Sequence, residues 1–314
     1  MNHYSIEAVN LSKNYGAFSA LSNINLKIEG SKCVGFLGPN GAGKTTTLKI
    51  FTDMIKPSSG HAFINGVDVN HEKKRALQSV GALIETPEIY PSLTEREALS
   101  MIGRIKGILK ENLDESIKRV VEKVKMRDWL DKKVGKMSKG MKQRIDIAAA
   151  LLGDPDIILL DEPTSGLDPR GMSEVRDIIK ELKKENHLIF MSSHLLSEVS
   201  EICDEVAMIN HGKLLVYGRI SDVVSKFYGK KDNMIEISFL SPLSKSSVNK
   251  IKRISGIKKI ESLDGVRFTV LVEGGQGKQA QVLSALVKLK LGLTGFKSSS
   301  GLEEAYLSVF KEVA

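Results

Sequence analysis

Residues 32–51, KCVGFLGPNGAGKTTTLKIF, restrict the fold more than any other stretch of the chain. KCVGFLG is a continuous apolar run, the pattern of a strand buried on both faces. It passes into a glycine-rich turn and then a helix from about Thr45. GPNGAGKTT, residues 38–46, fits G-x-x-x-x-G-K-[ST] in the strand–loop–helix setting that the motif's chemistry requires. Gly38, Gly41 and Gly43 let the backbone turn tightly and aim successive N–H groups at phosphate oxygens, with Pro39, Asn40 and Ala42 completing the loop. Lys44 would reach the β- and γ-phosphates. The Thr45 hydroxyl would hold Mg²⁺, and Thr46 would lie near the α-phosphate. The loop reads as a nucleotide site.

DIILLDEP supplies a partner for it, with Asp161 placed 117 residues after Lys44. The apolar run puts Asp161 at the C-terminal end of a buried strand, where α/β sheets present their ligands. Asp161 would hold the hydrated Mg²⁺, and Glu162 could take a proton from an attacking water. Two adjacent carboxylates after a buried strand also fit a helix N-cap. The phosphate loop in the same chain favours the catalytic reading.

DIILLD, HLIFMSS and EVAMIN are apolar runs separated by helical stretches, which argues for an α/β core with a mostly parallel sheet. Before them, residues 1–30 alternate apolar and polar positions as short strands, and HAFINGVDV reads as a hairpin turning at Asn65-Gly66. From Pro87 to Lys136 the pattern is helical and lysine-rich, an insertion expected to give a helical subdomain over about residues 87–150. HGKLLVYGRI closes the core as a hairpin. A boundary near KFYGKKDN divides a domain at 1–228 from a second at 229–314. The second is expected to place strands at Met234–Leu240, Ile257–Leu263 and Val266–Glu273, and helices around Ser244–Ser255 and Gly277–Lys290. A short extended stretch and a final amphipathic helix burying Leu302, Ala305, Tyr306, Val309 and Phe310 would follow. This order suits a small α+β sandwich resembling the ferredoxin-like arrangement. No nucleophile, metal cluster or phosphate loop stands out in it, so it reads as a regulatory, dimerising or docking domain.

With 314 residues, 41% of them apolar and 27% charged, the chain has material for two domains and a substantial core. No apolar run approaches the roughly 18–20 residues that span a bilayer, and MNHYSIEAVNL lacks the basic and apolar regions of a signal peptide. Cys33 and Cys203 sit in apolar surroundings, as buried thiols of a reducing compartment do. The net charge of +8 invites a nucleic-acid reading, but the lysines are scattered and few aromatics lie between them to stack bases. A solvated basic face accounts for them best, then an anionic membrane surface, and nucleic acid last.

KMSKGMKQRIDIAAALL, residues 136–152, is a Ser-x-Gly turn entering a helix, which alone fits an ordinary capped core helix or an anion site. The motifs together settle more. The phosphate loop and ILLDEP are joined by SGLD, whose Asp168 lies seven residues past Asp161, and by SSH, ending at His194 after the next apolar strand. Tyr15 lies 29 residues before Lys44. Over roughly residues 4–220 this order and spacing resembles the ATP-binding subunit of an ABC transporter. The resemblance implies a P-loop NTPase core with an antiparallel β subdomain and a helical subdomain, to which the chain adds its α+β C-terminal domain. It casts Tyr15 as the adenine-stacking aromatic, Asp168 as the D-loop aspartate and His194 as the switch histidine.

The resemblance also gives the Ser-x-Gly turn a role. Met137–Met141 aligns with the signature loop, usually Leu-Ser-Gly-Gly-Gln, which in the family closes over ATP held by a second subunit. Ser138 and Gly140 keep its hydroxyl and backbone donor, while Lys139 and Met141 depart from it. Glu85 stands where the family usually has Gln, keeping an acceptor for Mg²⁺ or the lytic water and adding a negative charge. Glu85, the S-x-G-M-K-Q signature and the GLEEAYLSVF terminus resemble the subgroup associated with bacitracin export and lantibiotic self-protection. The cofactors implied are ATP and Mg²⁺. The partners are a second copy of the chain in a head-to-tail dimer and a separately encoded membrane permease, placing the protein on the cytoplasmic face of the membrane. No nucleic acid is implied. A soluble ABC-type ATPase and a nucleotide-sensing module stand as alternatives.

Overall fold

Leu160 and Ser193 end two neighbouring parallel strands, and the chemistry expected of this chain gathers just past them. The computed structural model describes residues 4–85, 90–228, 232–274 and 276–298, with Leu302 and Tyr306. Contacts divide the chain into two units, Met1–Gly218 and Arg219–Ala314.

In the first unit β1 (Ser5–Tyr15) and β2 (Phe18–Glu29) form a long antiparallel pair. After them come β3 (Lys32–Leu37), α1 (Lys44–Phe51), the β4 (Ser59–Ile64) and β5 (Val67–Asp68) hairpin, α2 (Lys73–Ala76) and β6 (Val80–Leu83). Helices α3 (Glu95–Ile105), α4 (Lys110–Lys123) and α5 (Lys139–Leu151) make the helical insertion. The chain continues as β7 (Ile157–Leu160), α6 (Pro169–Lys183), β8 (Leu188–Ser193), α7 (Leu196–Ile202), β9 (Glu205–Asn210) and β10 (Lys213–Arg219).

One sheet has the order β2-β1-β4-β5 and the other β10-β9-β3-β8-β7-β6. In the second, β3 pairs in parallel with β8 and β9, and β7 with β6 and β8. All four β7 residues are fully buried, which is why IILL carries no polar alternation. The antiparallel sheet does alternate: Ile6, Ala8, Leu11, Ile24, Leu26 and Ile28 turn inward and join Phe36, Phe51 and Phe190 in one core. Asn65 and Gly66 both take positive φ (51° and 74°), the two-residue turn that matches strand twist in a hairpin. Cys33 and Cys203 are buried free thiols with their sulfurs 3.6 Å apart.

The insertion is locally well specified. Thr94 and Glu97 close a reciprocal capping box at the start of α3. Past the end of α3, the Lys106 ammonium donates to the carbonyls of Ala149, Ala150 and Leu152 at 3.0, 2.9 and 3.0 Å. These are terminal acceptors that α5 cannot satisfy itself. Burial lowers the Lys106 pKa to about 8.

The second unit holds α8 (Ile220–Tyr228), β11 (Asp232–Phe239), α9 (Lys245–Lys252), β12 (Ile257–Ser262), β13 (Arg267–Glu273), α10 (Gln276–Lys288) and β14 (Leu293–Ser298). The contact division falls between Gly218 and Arg219, so α8 belongs to the second unit and not, as the boundary expected at 228 has it, to the first. The sheet order is β12-β13-β11-β14, and the stretch read as merely extended is its fourth strand, completing a β-α-β-β-α-β unit. Ile235, Ile237, Phe239, Phe268, Val270 and Val272 face Ile251 of α9 and Val282 and Leu286 of α10. Of the residues expected on the final helix, Leu302 is helical and buried and Tyr306 helical and half-buried. Ala305, Val309 and Phe310 lie outside the described residues.

Candidate active site

The turn from β3 into α1 admits little but glycine at two points. A Cβ on Gly38 would meet the carbonyl oxygen of Ile209, and Gly43, at φ 108°, would place one 2.8 Å from that of Ala20. Lys44 follows directly and is only 5% exposed. Its ammonium donates to the carbonyls of Gly38 (2.7 Å) and Pro39 (3.1 Å) and lies 3.1 Å from Glu162 Oε1. A buried ammonium needs such partners, and all three come from the loops that would surround a phosphate.

Strand register brings the acidic pair to this lysine. Leu160 pairs with Met191, so Asp161 falls beside Ser192 one step further along. Ser192 Oγ donates to Asp161 Oδ1 at 2.6 Å and accepts the Glu162 N–H at 2.9 Å. Thr45 Oγ1 donates to the same Asp161 oxygen at 3.1 Å. A hydroxyl and a carboxylate, with no thiolate or imidazole between them, suit a hard cation such as Mg²⁺. Glu162 has φ 46°, the left-handed region that bulky residues avoid. The turn leaves one Glu162 oxygen against Lys44 and the other 2.6 Å from His194 Nδ1.

Behind this row, Glu198 is fully buried on α7 and accepts hydrogen bonds from the hydroxyls of Thr164 and Ser193, the latter at 2.8 Å. It ties the loop after β7 to the end of β8. In front, a cavity of about 340 Å³ is lined by Tyr15, Asn40, Gly41, Gly43, Lys44, Thr45, Thr46, Glu162 and His194. The sequence reading had named all of these. It missed Phe18 and Ala20, which line the same cavity together with Ser165, the first residue of SGLD. Phe18 faces Tyr15 across the β1–β2 turn, so two exposed aromatics stand together at its mouth. An aromatic on each side of a short Gly-containing turn was the available signal.

The family described as ABC transporter matches residues 21–165. The bacitracin transport ATP-binding protein BcrA of Bacillus licheniformis is 44% identical over 211 residues, 67% of this chain and 68% of the relative. The uncharacterized ABC transporter ATP-binding protein YcbN of Bacillus subtilis is 31% identical over 308 residues, 98% of this chain and 97% of the relative. This chain belongs to the ATP-binding subunits of ABC transporters. Among solved structures, an ATP-binding subunit of an ABC transporter at 27% identity superposes with a TM-score of 0.64, covering 72% of this chain and 94% of that one. The chain is therefore an ABC-type ATPase, homologous to bacitracin and lantibiotic transport ATP-binding proteins.

The remaining motif residues of this ATP-binding subunit lie apart from its own cavity. Ser138 caps α5 by accepting the Met141 N–H at 3.2 Å, and Asp168 caps α6 by accepting the Gly171 N–H at 2.9 Å. The two helix starts touch: a Cβ on Gly140 would sit 3.4 Å from the Gly171 Cα. Arg144 pairs with Glu174 at 3.3 Å further along the same helices. The Lys139 ammonium lies over Gly166, so this departure from the family's glycine turns toward the chain's own SGLD loop. Glu85 has φ 58°, and its carboxylate meets Lys49 of α1 at 2.5 Å. The structure thus brings Glu85 to the lysine one helical turn beyond Thr45, not to the Thr45–Asp161 pair itself.

Proposed function

We propose that this subunit binds Mg·ATP on residues 38–46 and that two copies close head-to-tail around two nucleotides. In this reading a separately encoded membrane protein converts closure and hydrolysis into export of its substrate. One observation carries the catalytic part: Glu162 stands between Lys44 and His194, beside Thr45 and Asp161. Phosphate oxygens replace Glu162 as the anionic partners of Lys44, which releases the carboxylate to accept a proton from water. The water oxygen then bonds to the γ-phosphorus, and the bond to the β–γ bridging oxygen breaks, leaving ADP and phosphate. Thr45 and Asp161 hold Mg²⁺, which offsets charge on the phosphate oxygens when bound. His194 fixes the Glu162 carboxylate through Nδ1. Tyr15 and Phe18 offer faces on which adenine stacks.

Ser138, Gly140 and Asp168 serve the other subunit's nucleotide in this reading, consistent with their position outside their own cavity. Glu85 acts from the edge of the site, its charge balanced by Lys49 of α1, and is not a metal ligand in this reading. No described helix is long and apolar enough to cross a membrane. The homology to bacitracin and lantibiotic transport ATP-binding proteins supports peripheral attachment to a permease at the cytoplasmic face, and export of that permease's substrate. The test is recovery of tagged Glu162→Gln protein from detergent-solubilised host membranes, with and without ATP. Copurification of a polytopic membrane protein in near-equal amount is expected. Recovery of only a soluble homodimer would refute the transporter assignment.

A further inference from the structure

His61, Asp68 and His71 converge on the antiparallel sheet of the first unit, where neither the nucleotide chemistry nor the family resemblance gives them a task. His61 lies on β4, Asp68 closes β5, and His71 begins the segment leading to α2. Taking one donor atom from each, the three lie within 4.8 Å of one another. His61 Nδ1 is 2.8 Å from Asp68 Oδ2, and His71 Nδ1 is 3.1 Å from Asp68 Oδ1. The carboxylate is fixed from behind, because Oδ1 also accepts the N–H groups of Asn70 (2.9 Å) and His71 (3.2 Å). The His61 ring stacks on Phe63 with centroids 5.9 Å apart. Both imidazoles are open to solvent, with side chains 54% and 73% exposed, whereas Asp68 is largely covered at 17%.

Two neutral imidazole nitrogens and a carboxylate oxygen are the donors that Zn²⁺, Ni²⁺ and Cu²⁺ select, while Mg²⁺ and Ca²⁺ prefer oxygen alone. Here the donors come from a strand, the end of its partner strand and the following turn, a framework set by main-chain pairing. We propose that His61, Asp68 and His71 form a three-ligand site for a divalent transition metal, with a fourth position open to water. The metal fastens the β4–β5 hairpin to the segment after it and stabilises the native sheet by mass action.

The experiment titrates the nucleotide-free full chain with Zn²⁺ against a chromophoric chelator, comparing wild type with His61→Ala, His71→Ala and the double variant. Glu162 and His194 could also take Zn²⁺, so the site is read as the difference between wild type and double variant. Wild type is expected to bind one Zn²⁺ more than the double variant, and each single variant to bind it at least about tenfold more weakly. Co²⁺ in place of Zn²⁺ should give visible d–d bands that the double variant lacks. Unchanged Mg²⁺-dependent ATP hydrolysis in all three variants would show that the fold and the nucleotide site are intact. Equal Zn²⁺ stoichiometry and affinity in wild type and double variant would overturn the proposal and leave the cluster a pair of histidine–aspartate contacts.

Discussion

Lys44 and Glu162 neutralise each other 3.1 Å apart, so removing either leaves its partner short of a counter-charge, but with different consequences. In the proposed site Lys44→Ala deletes the cation assigned to the phosphates and should weaken ATP binding itself, as a nucleotide fluorescence titration would report. Glu162→Gln keeps the shape and the hydrogen bond but not the basicity. Hydrolysis should fall on the order of 10²–10⁴-fold with ATP affinity retained, measured as phosphate release beside the same titration. Near-wild-type turnover would remove Glu162 as the base. Glu85 is a milder case. Its pair with Lys49 is exposed on the Glu85 side (60%), so Glu85→Gln should change thermal stability by less than about 1 kcal/mol. A larger loss in a melting experiment would mean that the pair holds the loop in place.

The helical insertion has its own pH response. Burial raises Glu95 to about 7, opposed by the Arg144 charge, and burial likewise raises Asp146 to about 7, opposed by Lys142. Both carboxyls belong to the packed region of α3 and α5. Their folded pKa values exceed the unfolded ones, so the stability contributed by the neutral forms is full below the unfolded values and is lost as pH rises through 7. Wild type should lose up to about 1 kcal/mol per pH unit per group between roughly pH 5 and 7, and no more above. Glu95→Gln and Asp146→Asn remove the ionisation. Their melting temperatures relative to wild type should climb over that interval, and parallel profiles would exclude this origin. The legibility of the elements follows the same logic of burial. β7 was readable because four fully buried residues leave no polar position, and the phosphate loop because its spacing is local. β14, read only as extended, is the short polar LTGFKS at a sheet edge, where one-sided packing asks little of composition. Ser192, Thr164 and Glu198 could not be found by spacing, since their partners lie about 30 residues away and meet only through strand register. The His61–Asp68–His71 cluster was hidden likewise, its donors meeting only when the hairpin closes.

At the scale of the whole molecule, each unit has a separate apolar core, one around Phe36 and Phe190 and the other around Phe239 and Phe268. The residues proposed to hold the nucleotide all lie in the first unit. Calorimetry on the full chain should therefore show two transitions. Mg·ATP added to the Glu162→Gln protein, where turnover cannot deplete it, should raise one and leave the other in place. A single transition displaced as a whole would mean that the two cores melt together. Within the first unit, the grip of Lys106 on three carbonyls has a mechanical meaning. It clamps one end of α5, a rod of 13 residues and about 20 Å, while Ser138 forms the other end. A displacement imposed on α3 is thus transmitted along a stiff lever to the Ser138 turn, with little of the stroke lost to bending between them.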